Sequence, residues 1–383
     1  MNIFKFAKEE SSTFLSIKSK LLYILLLLPL CYTVLFGLVY SKNVMSELPT
    51  VIYDQDNSLA SRTLINMFDD SDKYQVVAQV QSTEELESLL KNETAMVGVV
   101  IPPNFAKDIK LSLGTDVLIT VNASNIMYNN VMMSSCQEII QTFVAGTGEK
   151  ILEAGNKLPT QALATVMPIN IKVRIINNPV TGYNEFMLGG LGINGLQIAI
   201  LLVVITALNK EYNKKIIIGV KKSLAMVCGK LIPYWVVANF SFLLVVLAVN
   251  NIFAVPWRGN FLETLILGSA FSFLLIAICF VFSALFPDPV QAIQMPLLYL
   301  MPGLLYSGLS WPDFAMSSLG QAISTVMPLK YVCVSLRDLL LLGYSPTLNS
   351  DVLTMFSMGS FLLIIAGVIF YLRNKAVTKE VSL

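Results

Sequence analysis

Six stretches of this chain run for 17 to 23 residues with no Asp, Glu, Lys or Arg inside their limits: Leu21–Tyr40, Met187–Leu208, Leu231–Asn251, Thr264–Phe286, Gln291–Ser307 and Val352–Leu372. A bilayer core about 30 Å thick takes about 20 apolar helical residues to cross. Inside it every backbone N–H and C=O must be satisfied within the protein, which favours helices. The chain therefore reads as a polytopic α-helical membrane protein with six transmembrane helices. Pro296 and Pro302 interrupt the fifth stretch, so a broken or kinked helix is expected there. The first stretch follows Lys18 and Lys20 as a signal peptide would. Its apolar run exceeds the usual h-region of about 7–15 residues, and no small-x-small site follows, so it is expected to stay as a span.

The composition excludes other classes. Of the 383 residues, 55% are hydrophobic and 13% charged, against about 25% charged in soluble domains. A soluble enzyme and a disordered chain are both ruled out. The net charge of +1 gives no nucleic-acid footprint. The absence of histidine removes imidazole acid–base catalysis and most zinc sites. The five cysteines include no CxxC, which argues against a disulfide scaffold.

Basic residues set the orientation. Lys5, Lys8, Lys18 and Lys20 lie in 1–20; Lys210, Lys214, Lys215, Lys221, Lys222 and Lys230 lie in 209–230; Arg373, Lys375 and Lys379 lie in the tail 373–383. The short segments on the opposite side carry only Arg258, Lys330 and Arg337. Both termini are expected in the cytoplasm and residues 41–186 outside. A seventh span within 308–351 would instead move the basic tail outside.

Residues 41–186 read as an inserted, extracytoplasmic mixed α/β domain. Strands are expected at Pro49–Tyr53, Tyr74–Val80, Met96–Ile101, Val117–Val121 and Pro168–Asn177. Helices are expected at Leu59–Phe68, 83–92, Asn104–Leu113 and about Ile126–Ala154, with a capping box from Ser82 to Glu85. Asp54, Asp56, Asp69, Asp70 and Asp72 read as a solvated face rather than a cation site.

Ile3, Phe6, Ala7, Phe14, Ile17 and Leu21 form a helical stripe in 1–20, interrupted by Glu10. It suits an interfacial anchor on membrane lipid or a docking helix for a cytoplasmic partner. The loop 209–230 mixes lysines with Ile216, Ile217, Ile218, Val220 and Leu224. It is either a topology-setting loop or a short helix for a partner's groove. The outer segment 308–351 is too apolar to sit free in water and reads as a re-entrant hairpin before the last span. Gly189, Gly190, Gly192 and Gly195 open the second span. Small residues there suit a subunit interface or gate, and equally intramolecular packing.

No Walker A loop or Gly-x-Ser-x-Gly elbow is present. The nearest segment, Gly146–Lys150 (GTGEK), continues with Ile151 and reads as helix and turn. No span holds an ionisable residue well inside it, which weakens ion-coupled transport. If the chain transports, its energy is expected to come from elsewhere.

At this point the chain resembles the permease subunits of ABC-2 type exporters, in the branch with a large extracellular domain between the first two spans. The resemblance covers nearly the whole length. It is carried by Val51–Arg62 (VIYDQDNSLASR), Val99–Phe105 (VVIPPNF), Val121–Asn125 (VNASN), Asn178–Phe186 (NPVTGYNEF) and Gly229–Tyr234 (GKLIPY). The most specific part is Tyr306–Met316 (YSGLSWPDFAM) with Met327–Tyr331 (MPLKY) and Leu336–Gly343 (LRDLLLLG). Lys210–Glu211 stands where the family usually has Arg-Glu, and neither the usual Gly-Thr nor Ser-Pro follows.

The resemblance implies an exporter in the bacterial cytoplasmic membrane, moving a hydrophobic or amphipathic substrate. It implies a second permease copy or paralogue and an ATP-binding cassette subunit that carries ATP and Mg; no cofactor is expected in this chain. An extracytoplasmic accessory protein is a further possible partner. Lys210, Glu211, Lys214, Lys215, Ile217 and Lys221 are the expected coupling residues. Gly308, Trp311, Pro312, Met316, Pro328 and Arg337 would build the outer hairpin. The alternatives are a non-transporting receptor or assembly protein that displays the outer domain, and an ion-coupled carrier.

Overall fold

The computed structural model describes residues 3–16, 19–42, 45–111, 113, 115–122, 126–153, 178, 182–212, 219–286 and 288–381. The chain divides into two compact units, Met1–Asn43 with Ile175–Leu383, and Val44–Arg174.

The first unit is helical. Helix α1 covers Ile3–Phe14 and α2 covers Lys20–Val39. Between them and the remaining spans in sequence lies the second unit. The helical unit resumes with a π-helical turn, Asn184–Leu188, running into α7, Gly189–Val204. The short α8 (Asn209–Tyr212), the long α9 (Val220–Phe253), α10 (Phe261–Leu285) and α11 (Pro289–Leu300) follow. The unit ends with α12 (Ser318–Ser324), α13 (Pro328–Leu341) and α14 (Leu348–Val381).

Five helices among the described residues are long and apolar enough to cross a membrane: Lys20–Val39, Asn184–Glu211, Val220–Phe253, Phe261–Leu285 and Leu348–Asn374. A sixth is reached if α12 and α13, bent by 86° to one another, count as one broken span. The expected fifth stretch, 291–307, departs from a full span. Its helix α11 has 12 residues and passes into a 3-10 turn at Met301–Leu304. Together these reach roughly 26 Å, short of the hydrocarbon thickness. Pro302 has no N–H to continue the helical ladder, and the chain turns at Gly308, where φ is +76°.

The expected third span also differs. Helix α9 starts at Val220 rather than Leu231 and runs 34 residues, about 51 Å. Its first three turns carry Lys221, Lys222 and Lys230. So both ends of the expected coupling loop, 209–212 and 220–230, are helical.

Helix α10 sits in the centre of the unit, with Leu267, Phe271, Leu274, Phe280 and Ala284 buried. Helix α14 packs along it, and the Phe273 ring lies against Gly359, where a side chain would be only 2.6 Å away. The two arms of the bent pair differ in burial. Leu329, Val332, Cys333, Leu336 and Leu340 of α13 are buried, whereas Leu319 of α12 is exposed.

The second unit is built on a four-stranded sheet of β1 (Leu48–Asp54), β2 (Tyr74–Gln79), β3 (Val97–Ile101) and β4 (Leu118–Val121), in the order β2-β1-β3-β4. Strand β1 is parallel to β2 and β3, and β4 is antiparallel to β3. The connecting helices are α3 (Leu59–Asp69), α4 (Thr83–Lys91) and α5 (Phe105–Lys110), and α6 (Ile126–Glu153) follows.

Alternation along the strands feeds a core on each face. Ile52, Val97, Val99 and Ile101 join Leu64, Phe68, Phe105, Met132 and Phe143 on one side. Val51 joins Val80, Leu86 and Leu90 on the other. The sheet thus has α4 on one face and α3, α5 and α6 on the other, as an α/β layering requires.

Helix α5 is shorter than the expected 104–113: Asn104, at φ +63° in the left-handed region, stands before its first turn, and the helix ends at Lys110. The box at Ser82 is half formed. Its side chain accepts from the Glu85 N–H, while the Glu85 carboxylate accepts from Gln81 instead. The full box is at Ser58 and Ser61. Asp54 accepts from the Asp56 and Asn57 N–H groups and from the Ser61 hydroxyl. Asp56 accepts from the Ala106 N–H. These two carboxylates therefore pin the β1–α3 turn to α5. The expected strand Pro168–Asn177 lies outside the described residues.

Candidate functional site

The lysine-rich end of the helical unit contains a buried ion cluster that joins three separate segments. Lys230, on the inner face of α9, is 4% exposed. Its ammonium donates to Glu10 Oε2 of α1 at 2.5 Å and lies 3.1 Å from Glu211 Oε1 of α8. Tyr234, one turn further along α9, donates its hydroxyl to the other Glu10 oxygen at 2.5 Å. The spacing of four puts Lys230 and Tyr234 on one helix face. The Phe14 ring covers Tyr234, with centroids 4.6 Å apart.

Helix α1 reaches this position because α9 offers no side chain at Gly229. A Cβ there would lie 2.7 Å from the Ile3 carbonyl oxygen and from Phe6 Cβ. Glu10, which interrupts the apolar stripe of α1, is thus the residue that the helix inserts into the site. An ammonium this deep is tolerated only when its charge is paired and its donors are used.

The residues just before Glu211 are anchored to the end of α10. Asn209 donates to the Phe286 carbonyl at 3.1 Å and accepts from the Ser283 hydroxyl at 2.8 Å, while Ser283 accepts from the Leu208 N–H. Arg373 of α14 donates to the Ala284 carbonyl at 3.0 Å. The ends of α7, α10 and α14 are therefore tied together beside the cluster. Through Glu211 and Lys230 the 209–212 segment is in direct contact with α9, and through Lys230 and Glu10 α9 is in contact with α1.

A second polar feature lies within the apolar spans. A cleft of about 220 Å³ is lined by Tyr32 of α2, Asn194 and Gln197 of α7, and Leu297, Leu300 and Leu304 around α11. Asn194 donates to the Tyr32 hydroxyl at 3.1 Å, and Gln197 donates to the Leu300 carbonyl at 3.2 Å. Gln197 is 2% exposed, and its Oε1 has no hydrogen-bond partner among the described residues. The expectation that the spans carry no charge left these amides unnoticed. The signal was there: two carboxamides three residues apart in an otherwise apolar helix.

A family model described as ABC-2 family transporter protein matches residues 19–372. This chain belongs to that family. No curated protein matches it. As an ABC-2 family member it is a multi-pass membrane protein and the membrane component of a transporter, and the family implies an ATP-binding cassette partner.

Among the coupling residues that the sequence suggests in this ABC-2 chain, Glu211 is in the cluster. Lys210 and Lys221 are exposed. Lys214, Lys215 and Ile217 lie outside the described residues. Lys230 and Glu10, which hold the cluster together, were missed. A lone lysine in a basic loop and a glutamate breaking a stripe give no sign of meeting across 220 residues.

The glycines of the second span are filled by this chain's own side chains. Leu340 packs at Gly189, Leu309 at Gly190, Val245 and Thr33 at Gly192, and Tyr32 at Gly195. These contacts are intramolecular.

In the segment 308–343, Gly308 turns the chain next to Asp313, and Asp313 pairs with Lys330 at 3.0 Å. Pro312 precedes the 3-10 turn Asp313–Ala315, and Met316 follows it. Trp311 donates its indole N–H to the Ala315 carbonyl at 3.0 Å. Pro328 opens α13 at a position where a missing N–H costs nothing. Arg337 does not join this group; its guanidinium lies 5.1 Å from the centre of the Phe186 ring.

Proposed function

We propose that this chain is the permease subunit of an ATP-driven exporter that moves a hydrophobic or amphipathic substrate out of the cytoplasm or the inner leaflet. The reading places it in a bacterial cytoplasmic membrane with both termini inside, paired with a second permease copy or paralogue. ATP and Mg belong to the partner subunits, and an accessory protein is a candidate contact for the 44–174 unit outside.

The observation that supports this best is the Glu10–Lys230–Glu211 cluster, which links α1, α8 and α9 at the lysine-rich end. A partner that pushes on 209–219 would move α1 and the long α9 as one body. The cleft at Tyr32, Asn194 and Gln197 is where an amphipathic molecule would find hydrogen-bonding groups within the spans. The apolar lining and few polar groups suit such a substrate.

The test is affinity purification of the full-length protein from native membranes in mild detergent, with mass spectrometry of what comes with it. An ATP-binding protein in near one-to-one ratio is expected. It should be lost when 213–218 is scrambled, a change that leaves α8 and α9 intact. Glu211→Ala should lower transport by the complex while the subunit still inserts. Recovery of no ATP-binding protein across several detergents favours the displayed-domain alternative.

A further inference from the structure

A crevice opens between the starting ends of α10 and α14, away from the lysine-rich end. It encloses about 400 Å³ and is lined by Ile266, Val352, Leu353 and Phe356, with Glu263 and Asn349 among its polar groups. The two helices pack closely further along, where Gly359 meets Phe273. The Phe356 ring, 5.4 Å from that of Phe273, closes the crevice on this side.

Both helices are membrane spans by length and composition. An apolar crevice between two such helices is suited to a lipid chain. Its polar end is unusual. Glu263 is half-buried and makes no ion pair or hydrogen bond with another described residue. A carboxylate in the first turn of α10 is favoured by the helix dipole. That accounts for an acid near this end, but not for its place in the lining of a lipid-sized crevice. Arg258, the nearest basic residue in sequence, is occupied elsewhere. Its guanidinium donates to the Leu341 carbonyl at 2.7 Å.

We propose that this crevice binds one phospholipid whose headgroup ends in a primary ammonium, of the phosphatidylethanolamine type. One acyl chain lies along Ile266, Val352, Leu353 and Phe356. The ammonium donates to the Glu263 carboxylate, with the Asn349 amide beside it. A quaternary choline headgroup has no N–H to donate, and an anionic glycerol headgroup brings like charge to Glu263.

The test is native mass spectrometry of the purified full-length protein after reconstitution with phosphatidylethanolamine, phosphatidylcholine and phosphatidylglycerol of identical chains. Bound phosphatidylethanolamine is expected to exceed each of the others by roughly two- to fivefold, the size of a partly exposed charge pair. Glu263→Gln, close in shape, should abolish that preference and leave total bound lipid nearly unchanged. Val352→Trp, which fills the crevice, should reduce bound phosphatidylethanolamine while Glu263 stays in place.

Equal binding of the three lipids by the wild-type protein would overturn the proposal. So would a preference that survives Glu263→Gln, or one untouched by Val352→Trp. None of these readouts involves ATP or transport, so failure here leaves the exporter reading standing.

Discussion

At the scale of single residues, burial decides what a polar group does. Lys230 is one of 26 basic residues, and most such side chains sit in water. Here Gly229 lets α1 approach, Glu10 comes with it, and Glu211 closes the other side. Removing Lys230 would leave the Glu10 and Glu211 carboxylates without their countercharge, a cost of about 3–5 kcal/mol in comparable sites. Tyr74 shows the same logic in the second unit. It is 3% exposed, donates to the Met132 carbonyl at 2.7 Å, and touches Cys136 Sγ at 3.1 Å. Burial, then the contact with Cys136, pushes its phenol well above its ordinary 10.0. The folded state keeps the proton where the unfolded state loses it. The stabilisation is therefore present below about pH 10 and declines as the pH rises beyond that. Hydrogen exchange of residues 74–79 in the full-length protein should accelerate above pH 10 more than the intrinsic rate does. Tyr74→Phe should remove that excess and cost about 1–2 kcal/mol at neutral pH. An unchanged alkaline profile in the variant would assign the effect to another group.

At the scale of elements, the spans are set by hydropathy but seated by small residues. Helix α7 can lie against α2 and α9 because Gly192 leaves room. A Cβ there would stand 2.6 Å from Val245 Cγ1 and 2.8 Å from Thr33 Oγ1. Gly192→Leu should destabilise the purified protein by roughly 1–3 kcal/mol, the usual cost of overpacking, seen as a lower thermal-unfolding midpoint in detergent. A variant as stable as wild type but with fewer dimers by mass photometry would instead put Gly192 at a subunit contact. The same scale explains α11. Its apolar residues would continue a span, yet Pro302 and the turn at Gly308 redirect the chain into the bent α12–α13 pair.

At the scale of the molecule, two units follow different rules. The helical unit buries apolar residues between spans. Unit 44–174 builds a twin-faced α/β core with its own caps and strand pairing. A segment of that length can bury enough apolar surface to fold alone. Residues 44–174 expressed by themselves should give a soluble protein with one cooperative thermal transition by circular dichroism. A chain that stays unfolded or melts gradually would show that the unit depends on the helical one.

The run of uncharged apolar stretches determined by itself that this is a helical membrane protein, because hydrocarbon accepts almost nothing else. Period-two and helical patterns between Leu48 and Val121 likewise placed four strands and their helices within a few residues. Pro302 foretold a break, but not that α11 would fall short of a span. Hydropathy placed the start of the third span at Leu231, and 220–230, read as a loop or a short helix, is instead the continuous start of α9. Its helix there is stabilised by α1 lying against Gly229, a contact more than 200 residues distant in sequence. The cluster at Lys230 and the cleft at Gln197 were decided only by the tertiary structure. Each is an arrangement of polar groups from separate helices, and the cost of burying them is met only once those helices have packed.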